Sequence, residues 1–210
     1  MTICIGDIHG KYDLLMKLRQ ILPHDDLVFV GDLIDRGLAS SRVVEFVKSN
    51  DYKCVLGNHE DMMIQTIELS GDTWNNERKL MNSYIAETWR YNGGSITIRS
   101  YNEDFELMNE HYEWMKTLPL LHWVDDKTVV SHSYYLPYIG KENDPMFKDS
   151  VTWARYSRHE SNGILNIHGH TIQNIIHISN NYVNIDTGAF LNNTLSAYDT
   201  DTGQIYQVKE

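Results

Sequence analysis

The chain has 210 residues, 41% of them hydrophobic, with 13 glycines and only 4 prolines, which predicts a single compact domain over 1–210 without a disordered linker. Its net charge of −11 argues against a general nucleic-acid or anionic-membrane binder, because either needs a basic face that releases counterions. No basic-then-apolar leader opens the sequence and no apolar run approaches the ~18 residues of a membrane span, so the expected location is cytoplasmic.

Ile3, Cys4 and Ile5 read as a short strand ended by Gly6. Leu14, Leu15, Leu18, Ile21 and Leu22 then recur at helical spacing until Pro23. Residues 27–30 form an apolar run ended by Gly31-Asp32, and Val43, Val44, Phe46 and Val47 predict a second helix with Ser40 or Ser41 as its cap. Cys54-Val55-Leu56 reads as a third strand, closed by Gly57-Asn58-His59. This alternation predicts an α/β core with parallel strands, whose loops converge at the carboxyl ends of the strands. Cys4 and Cys54 both fall in strands and read as reduced core thiols.

Residues 61 to about 118 read as helices forming a cap or layer within that domain. Leu80, Met81, Tyr84, Ile85, Thr88 and Trp89 make one stripe and Phe105, Met108, Tyr112 and Met115 another, both expected in the core, with a turn at Asn92-Gly93-Gly94 between them. Strands return at 128–130, 164–167 and 182–185, ending in Ser131-His132, His168-Gly169-His170 and Asp186-Thr187-Gly188. Residues 195–198 and 204–208 predict a closing antiparallel hairpin.

The strand ends thus present Asp7, His9, Asp32, Asn58, His59, His132 and His170. Oxygen and imidazole donors without a thiolate suit Mn, Fe, Zn or similar divalent ions in five- or six-coordinate sites rather than a structural zinc. One carboxylate can bridge two ions about 3.5–4 Å apart, an arrangement suited to in-line displacement at phosphorus. Any one of these residues could be a turn former or a hydrogen-bonded histidine. Chance placement does not account for the whole set.

The stretches GDIHG (6–10), GDLIDRG (31–37), GNHE (57–60), His132 after its strand, and HGHT (168–171) resemble, in this order, the motifs of calcineurin-like metallophosphoesterases. WRYNGGSIT (89–97), LPL (118–120), VTWARYSR (151–158) and NIDTGAF (184–190) extend the similarity to the small bacterial and phage branch of the PPP-type serine/threonine phosphatases. The resemblance implies an α/β fold built as a β-sandwich of two mixed sheets flanked by helices, with a helical cap segment at about 61–118. It implies that Asp7 and His9 hold a first ion, that Asp32 bridges, and that Asn58, His132 and His170 hold a second. The two divalent ions would be Mn foremost, with Fe, Zn or Ni also compatible. His59 is left as general acid, oriented by Asp35, while Arg36, Arg155 and Asn58 grip the phosphate. A metal-bridging hydroxide would attack phosphorus directly. Glu60 is given no direct role.

Thr171-Ile172 follow Gly169-His170 where nuclease branches carry a second His, which argues against a nuclease. His168 is expected to be a buried neighbour. Ser133-Tyr134 follow His132 where the family has a small residue and glycine, so both are expected to alter the floor beside the second ion; Asn192-Asn193 replace a small glycine pair. The expected substrate is a phosphoprotein or phosphorylated small molecule, with a serine/threonine or dual-specificity protein phosphatase as the leading reading. The alternative in the same class is a diadenosine tetraphosphate or nucleotide pyrophosphohydrolase, for which Trp74, Arg78, Trp89, Arg90 and Tyr91 offer stacking and charge, although Trp89 and Tyr91 suit the core equally. A catalytically silent metal-binding scaffold is the alternative of another class.

Overall fold

The computed structural model describes residues 2–24, 26–70, 83–135, 145–155 and 163–210. Strand β1 (Ile3–Ile5) leads to α1 (Tyr12–Ile21), β2 (Leu27–Phe29), α2 (Ser40–Ser49), β3 (Lys53–Cys54) and α3 (Asn58–Ser70). Helices α4 (Tyr84–Tyr91), α5 (Gly94–Ser100) and α6 (Phe105–Met115) follow, then β4 (Leu121–Asp125), β5 (Thr128–Ser131) and α7 (Pro145–Thr152). The chain closes with β6 (Leu165–His168), β7 (His177–Ile178), β8 (Tyr182–Asn184) and the hairpin β9 (Thr194–Asp199) and β10 (Ile205–Lys209).

These strands form two five-stranded sheets, ordered β10-β9-β1-β2-β3 and β4-β5-β6-β8-β7. In the first, β1, β2 and β3 are parallel and β9 runs antiparallel beside β1. In the second, β5, β6 and β8 are parallel, with β4 and β7 antiparallel at the edges. Strand alternation sorts the core into two layers. Ile3, Ile5, Leu27 and Phe29 face the helices and cluster with Leu14, Leu18, Val43 and Val47. Cys4 and Val28 face the other way, against Val130, Ile167 and Val183 of the second sheet. The result is the expected sandwich of two mixed sheets flanked by helices.

Trp89, Met108, Tyr112 and Met115 join the same cluster as α1 and α2, so α4–α6 extend the helical layer over the first sheet. Tyr84 and Phe105 depart from the predicted stripes and are exposed. The buried face of α4 is Ala86 and Trp89, and Tyr84 lies about 140° round the helix from Trp89. Leu80 and Met81 lie outside the described residues. The serine cap predicted for α2 is also corrected: its N-cap is Ala39, with no side-chain cap bond. Ser40 and Ser41 instead lie inside the helix, where Ser40 Oγ accepts the Asp35 N–H and Ser41 Oγ donates to the Ser100 carbonyl. Cys4 and Cys54 are free and buried. Among the described residues, no helix is long and apolar enough to cross a membrane.

Candidate active site

The predicted site residues sit at the carboxyl ends of the parallel strands of both sheets. Asp7 and His9 follow β1, Asp32, Asp35 and Arg36 follow β2, and Asn58 and His59 open α3 just after β3. His132 follows β5 and His170 follows β6. The first two loops are joined through backbone: Ile8 and His9 donate to the Asp32 carbonyl at 3.1 and 2.9 Å, and Gly10 donates to the Leu33 carbonyl at 2.8 Å. Glu60 stitches the second loop to the third. Its carboxylate accepts the N–H groups of Asp32 (2.9 Å), Leu33 (2.9 Å), Ile34 (3.2 Å) and Gly57 (3.1 Å). The loops are tight enough to dictate sequence, since a Cβ on Gly169 would lie 1.9 Å from Asp7 Oδ1. His9, Asp32, Asp35, Arg36 and His170 all adopt left-handed backbone, with φ of 49°, 51°, 71°, 67° and 65°. Such conformations cost about 1–3 kcal/mol each and persist where surrounding structure over-determines them.

Three histidines share one device. His9 Nδ1 lies 2.9 Å from the Ile34 carbonyl, His132 Nδ1 2.7 Å from the Val30 carbonyl, and His170 Nε2 3.0 Å from the Trp153 carbonyl. A carbonyl only accepts, so the N–H sits on that nitrogen; the other carries the lone pair in neutral His9 and His170, and in His132 once a cation displaces its second proton. Those lone-pair atoms converge: His9 Nε2 is 3.5 Å from Asp32 Oδ2 and His132 Nε2 is 3.3 Å from Asp32 Oδ1. Asn58 Oδ1 lies 2.8 Å from His132 Nε2 and 3.0 Å from His170 Nδ1. Among the described residues, the donor groups whose atoms lie within 4.8 Å of one another are His9-Asp32-His59 and Asp32-His132-His170. Asp32 is common to both. Asp7 stands outside these two groups, and its carboxylate accepts the His170 N–H at 3.1 Å. His59 Nδ1 is held 2.6 Å from Asp35 Oδ2, and its Nε2 lies 3.8 Å from Asp32 Oδ2.

Electrostatics match a cation site. Burial drives His9 and His170 down to about 3, so both imidazoles are neutral ligands near pH 7. Burial, then the Asp186 carboxylate, pushes Asp7 well above the ordinary range. Asp186 itself rises to about 6, chiefly through burial. Burial alone would raise Asp32, but His132 and His59 outweigh it and hold Asp32 well below the usual range. Burial alone would lower His132, yet Asp32 and Asp7 hold it up to about 10. Divalent ions would relieve the repulsion between the buried carboxylates and displace the His132 proton, so the donor set fits them.

A family model for calcineurin-like phosphoesterases matches residues 2–197. The chain belongs to the calcineurin-like phosphoesterase family. Serine/threonine-protein phosphatase 2 of Salmonella typhimurium is 30% identical over 217 residues, covering 92% of this chain and 90% of the relative. The symmetrical bis(5'-nucleosyl)-tetraphosphatase of Buchnera aphidicola is 32% identical over 146 residues, covering 65% of this chain and 45% of the relative. The phosphoesterase thus matches less than half the length of that tetraphosphatase. A solved protein serine/threonine phosphatase from Saccharomyces cerevisiae shares the fold, with TM-score 0.67 at 13% identity, covering 100% of this chain and 79% of the other.

In this phosphoesterase the two expected phosphate-binding arginines differ in exposure, Arg36 being half-buried and Arg155 open to solvent. Arg36 donates to Asn92 Oδ1 and lies 5.1 Å over the Phe190 ring. Arg155 is exposed and its charge helps to depress His170. Ser133 ties the His132 strand to the segment ending at Arg155: its N–H donates to the Val151 carbonyl at 2.6 Å and its hydroxyl to the Ala154 carbonyl. Tyr134 departs from the sequence expectation, because its ring is taken up by an aromatic cluster and not by any of the proposed ligands. It is buried against Tyr182 and His168, with ring centroids 5.9 and 5.8 Å away, and its hydroxyl accepts from Asn181 Nδ2. His168 is buried in that same cluster, as expected. Asn192 Nδ2 donates to the Thr187 carbonyl at 3.0 Å, and Asn193 takes a φ of 50°. In the helical layer Trp89 is core, Arg90 and Tyr91 are exposed, and Trp74 and Arg78 lie outside the described residues.

Sequence reasoning passed over three positions. Glu60 carried a signal, a Glu three residues after Gly57 at a helix start, which is the reciprocal half of a capping box. Asp186 stood at a strand end like the others. Thr97 bonds to Asp35 across 62 positions, and no local pattern announces that.

Proposed function

We propose that this phosphoesterase is a serine/threonine protein phosphatase dependent on two divalent ions, Mn foremost. One observation supports the reaction above the rest: Asp32 is shared by two donor groups, and the buried His59–Asp35 pair lies beside it. Asp7, His9 and Asp32 would hold one ion, and Asp32, Asn58, His132 and His170 the other. When bound, such ions supply Lewis acidity and lower the pKa of water towards neutrality. The chain's own side chains do the rest. Arg36, Arg155 and Asn58 grip phosphate oxygens, where planar guanidinium forks can bond two at once. His59 delivers a proton from Nε2 to the leaving oxygen, while Asp35 holds Nδ1 and fixes the ring. The substrate assignment rests on coverage, since the match to the Salmonella phosphatase runs nearly end to end in both chains. Buried free cysteines suit a cytoplasmic setting.

A second reading, a dinucleoside tetraphosphate hydrolase, draws on the Buchnera relative and on Arg90 and Tyr91, exposed side by side at the end of α4. The deciding experiment compares kcat/KM on phosphoserine, phosphothreonine and phosphotyrosine peptides with that on diadenosine tetraphosphate, all with Mn²⁺. The expected result favours the phosphoserine and phosphothreonine peptides. Preference for the dinucleotide establishes the second reading, and turnover of none supports a silent scaffold.

A further inference from the structure

The stretch WRYNGGSIT, residues 89–97, is remote in sequence from every proposed ligand, yet it closes on the Asp35-Arg36 dipeptide from several sides. Trp89 Nε1 lies 3.1 Å from both Asp35 carboxylate oxygens. Thr97 Oγ1 donates to Asp35 Oδ1 at 2.6 Å and accepts the Asp35 N–H at 2.9 Å. Trp89, Thr97 and Asp35 are each fully buried. One residue along, Arg36 donates to Asn92 Oδ1, and the Asn92 amide is turned that way by its own bond to the Thr88 carbonyl at 2.9 Å. The glycines make the approach possible. A Cβ on Gly93, whose φ is 110°, would fall 2.5 Å from the Arg36 nitrogen, and one on Gly94 would fall 2.5 Å from the Trp89 ring.

We propose that residues 89–97 form a two-armed clamp, in which Trp89 and Thr97 position the Asp35–His59 pair for leaving-group protonation and Asn92 separately positions Arg36 for phosphate binding. This rests on the proposed phosphatase activity for its kinetic arm. The physical argument is one of orientation. Asp35 Oδ2 accepts from His59 Nδ1, so the carboxylate plane sets the direction of the imidazole. The Thr97 hydroxyl and the indole N–H hold that plane on its other sides. A carboxylate freed from them rotates, and the acid loses aim more than it loses acidity. Asn92 touches neither His59 nor Asp35 in its bonding, so its loss falls on ground-state phosphate contact.

The test exploits leaving groups. A serine alkoxide needs its proton in the transition state, whereas p-nitrophenolate leaves readily without one. With Mn²⁺, kcat is measured on a phosphoserine peptide and on p-nitrophenyl phosphate for wild type, Thr97→Val, Thr97→Ser, Trp89→Phe, Asn92→Ala and Thr88→Val. Thr88 is the control, a hydroxyl on the same helix that donates to the Tyr84 carbonyl. The ratio of the two kcat values should fall about tenfold in Thr97→Val and Trp89→Phe, a fraction of the ~10²–10⁴ that a positioned acid supplies, and return in Thr97→Ser. In Asn92→Ala the ratio should hold while KM and the inhibition constant for inorganic phosphate rise about fivefold. A ratio unmoved in Thr97→Val and Trp89→Phe, with both rates reduced alike, overturns the proposal, as does a ratio that moves with Thr88→Val. A second readout needs no metal: proton NMR of the metal-free protein should show the His59 ring N–H far downfield, moving upfield in Thr97→Val and Trp89→Phe. Wild type inactive on both substrates would remove the phosphatase reading alone. The NMR shift would then decide the clamp, with an unmoved signal counting against it.

Discussion

His132 Nε2 lies 3.3 Å from Asp32 Oδ1, and the two residues come from different sheets, Asp32 beyond β2 and His132 beyond β5. A divalent ion held by both residues would therefore tie the sheets together. Mn²⁺ at about 100 times its Kd should add ~2.7 kcal/mol of stability. For a chain of this size that raises Tm by roughly 5–10 °C. Thermal melts with EDTA or Mn²⁺ measure the difference, and Asp32→Ala should abolish it. A Tm indifferent to Mn²⁺ in wild type would refute metal binding here.

His59 belongs to one of the donor groups and is also held by Asp35, so acid and ligand roles predict different outcomes. As the acid, His59→Gln should lower kcat on a phosphoserine peptide about 10²–10⁴-fold. Bound metal, counted by elemental mass spectrometry, should stay at the wild-type value. Loss of an ion in this variant would make His59 a ligand instead.

Glu60 accepts from Asp32, Leu33, Ile34 and Gly57, which occupies both oxygens of its carboxylate. Glu60→Ala strands these buried donors, and at about 1–3 kcal/mol for each unsatisfied group the loss should reach ~4 kcal/mol or more. Glu60→Gln, which keeps one accepting oxygen, should lose about half as much. Urea denaturation of the metal-free protein reads both, and a Glu60→Ala loss near zero contradicts the buttress.

His111 is fully buried between Tyr101 and Glu45, 3.0 Å from the hydroxyl and 2.7 Å from the carboxylate. Burial outweighs Glu45 and lowers its pKa below the ordinary 6.5. The unfolded chain therefore takes up a proton below that pH which the native chain resists. Stability from this site is complete above pH 6.5 and declines as pH falls below it. The wild-type Tm should drop more steeply from pH 7 to 5 than that of His111→Gln, measured by melts across that range. Equal slopes would show that His111 binds its proton alike in both states.

Ser133 fastens the segment that delivers Arg155. Ser133→Ala removes the hydroxyl arm and leaves the N–H arm, so KM for p-nitrophenyl phosphate should rise about threefold with kcat little changed. Arg155→Ala should mask this effect, and additive losses in the double variant would mean the two residues act independently.

Much of the site was legible because its residues obey a local rule, a glycine and a polar side chain directly after an apolar strand. Asp7, Asp32, Asn58 and His170 follow it, His132 follows its strand after Ser131 instead of a glycine, and the structure brings them together. The sheet order was partly legible too, since alternating strands and helices fix parallel neighbours. What stayed hidden depends on contacts that local sequence does not encode. Tyr134 sits next to a site residue and yet its ring is taken up by an aromatic cluster with His168 and Tyr182. Ser40 resembles a cap but serves the Asp35 amide. Trp89 reads as an ordinary core residue in its stripe, and its indole N–H proves to reach the site from 54 positions away.

Asp7 and the His170 amide meet at 3.1 Å although 163 positions separate them. During translation, which proceeds from the N-terminus, the first loops leave the ribosome long before their partner does. A nascent chain thus carries Asp7, His9 and Asp32 without His132 and His170, so the proposed activity would wait until the second sheet has formed.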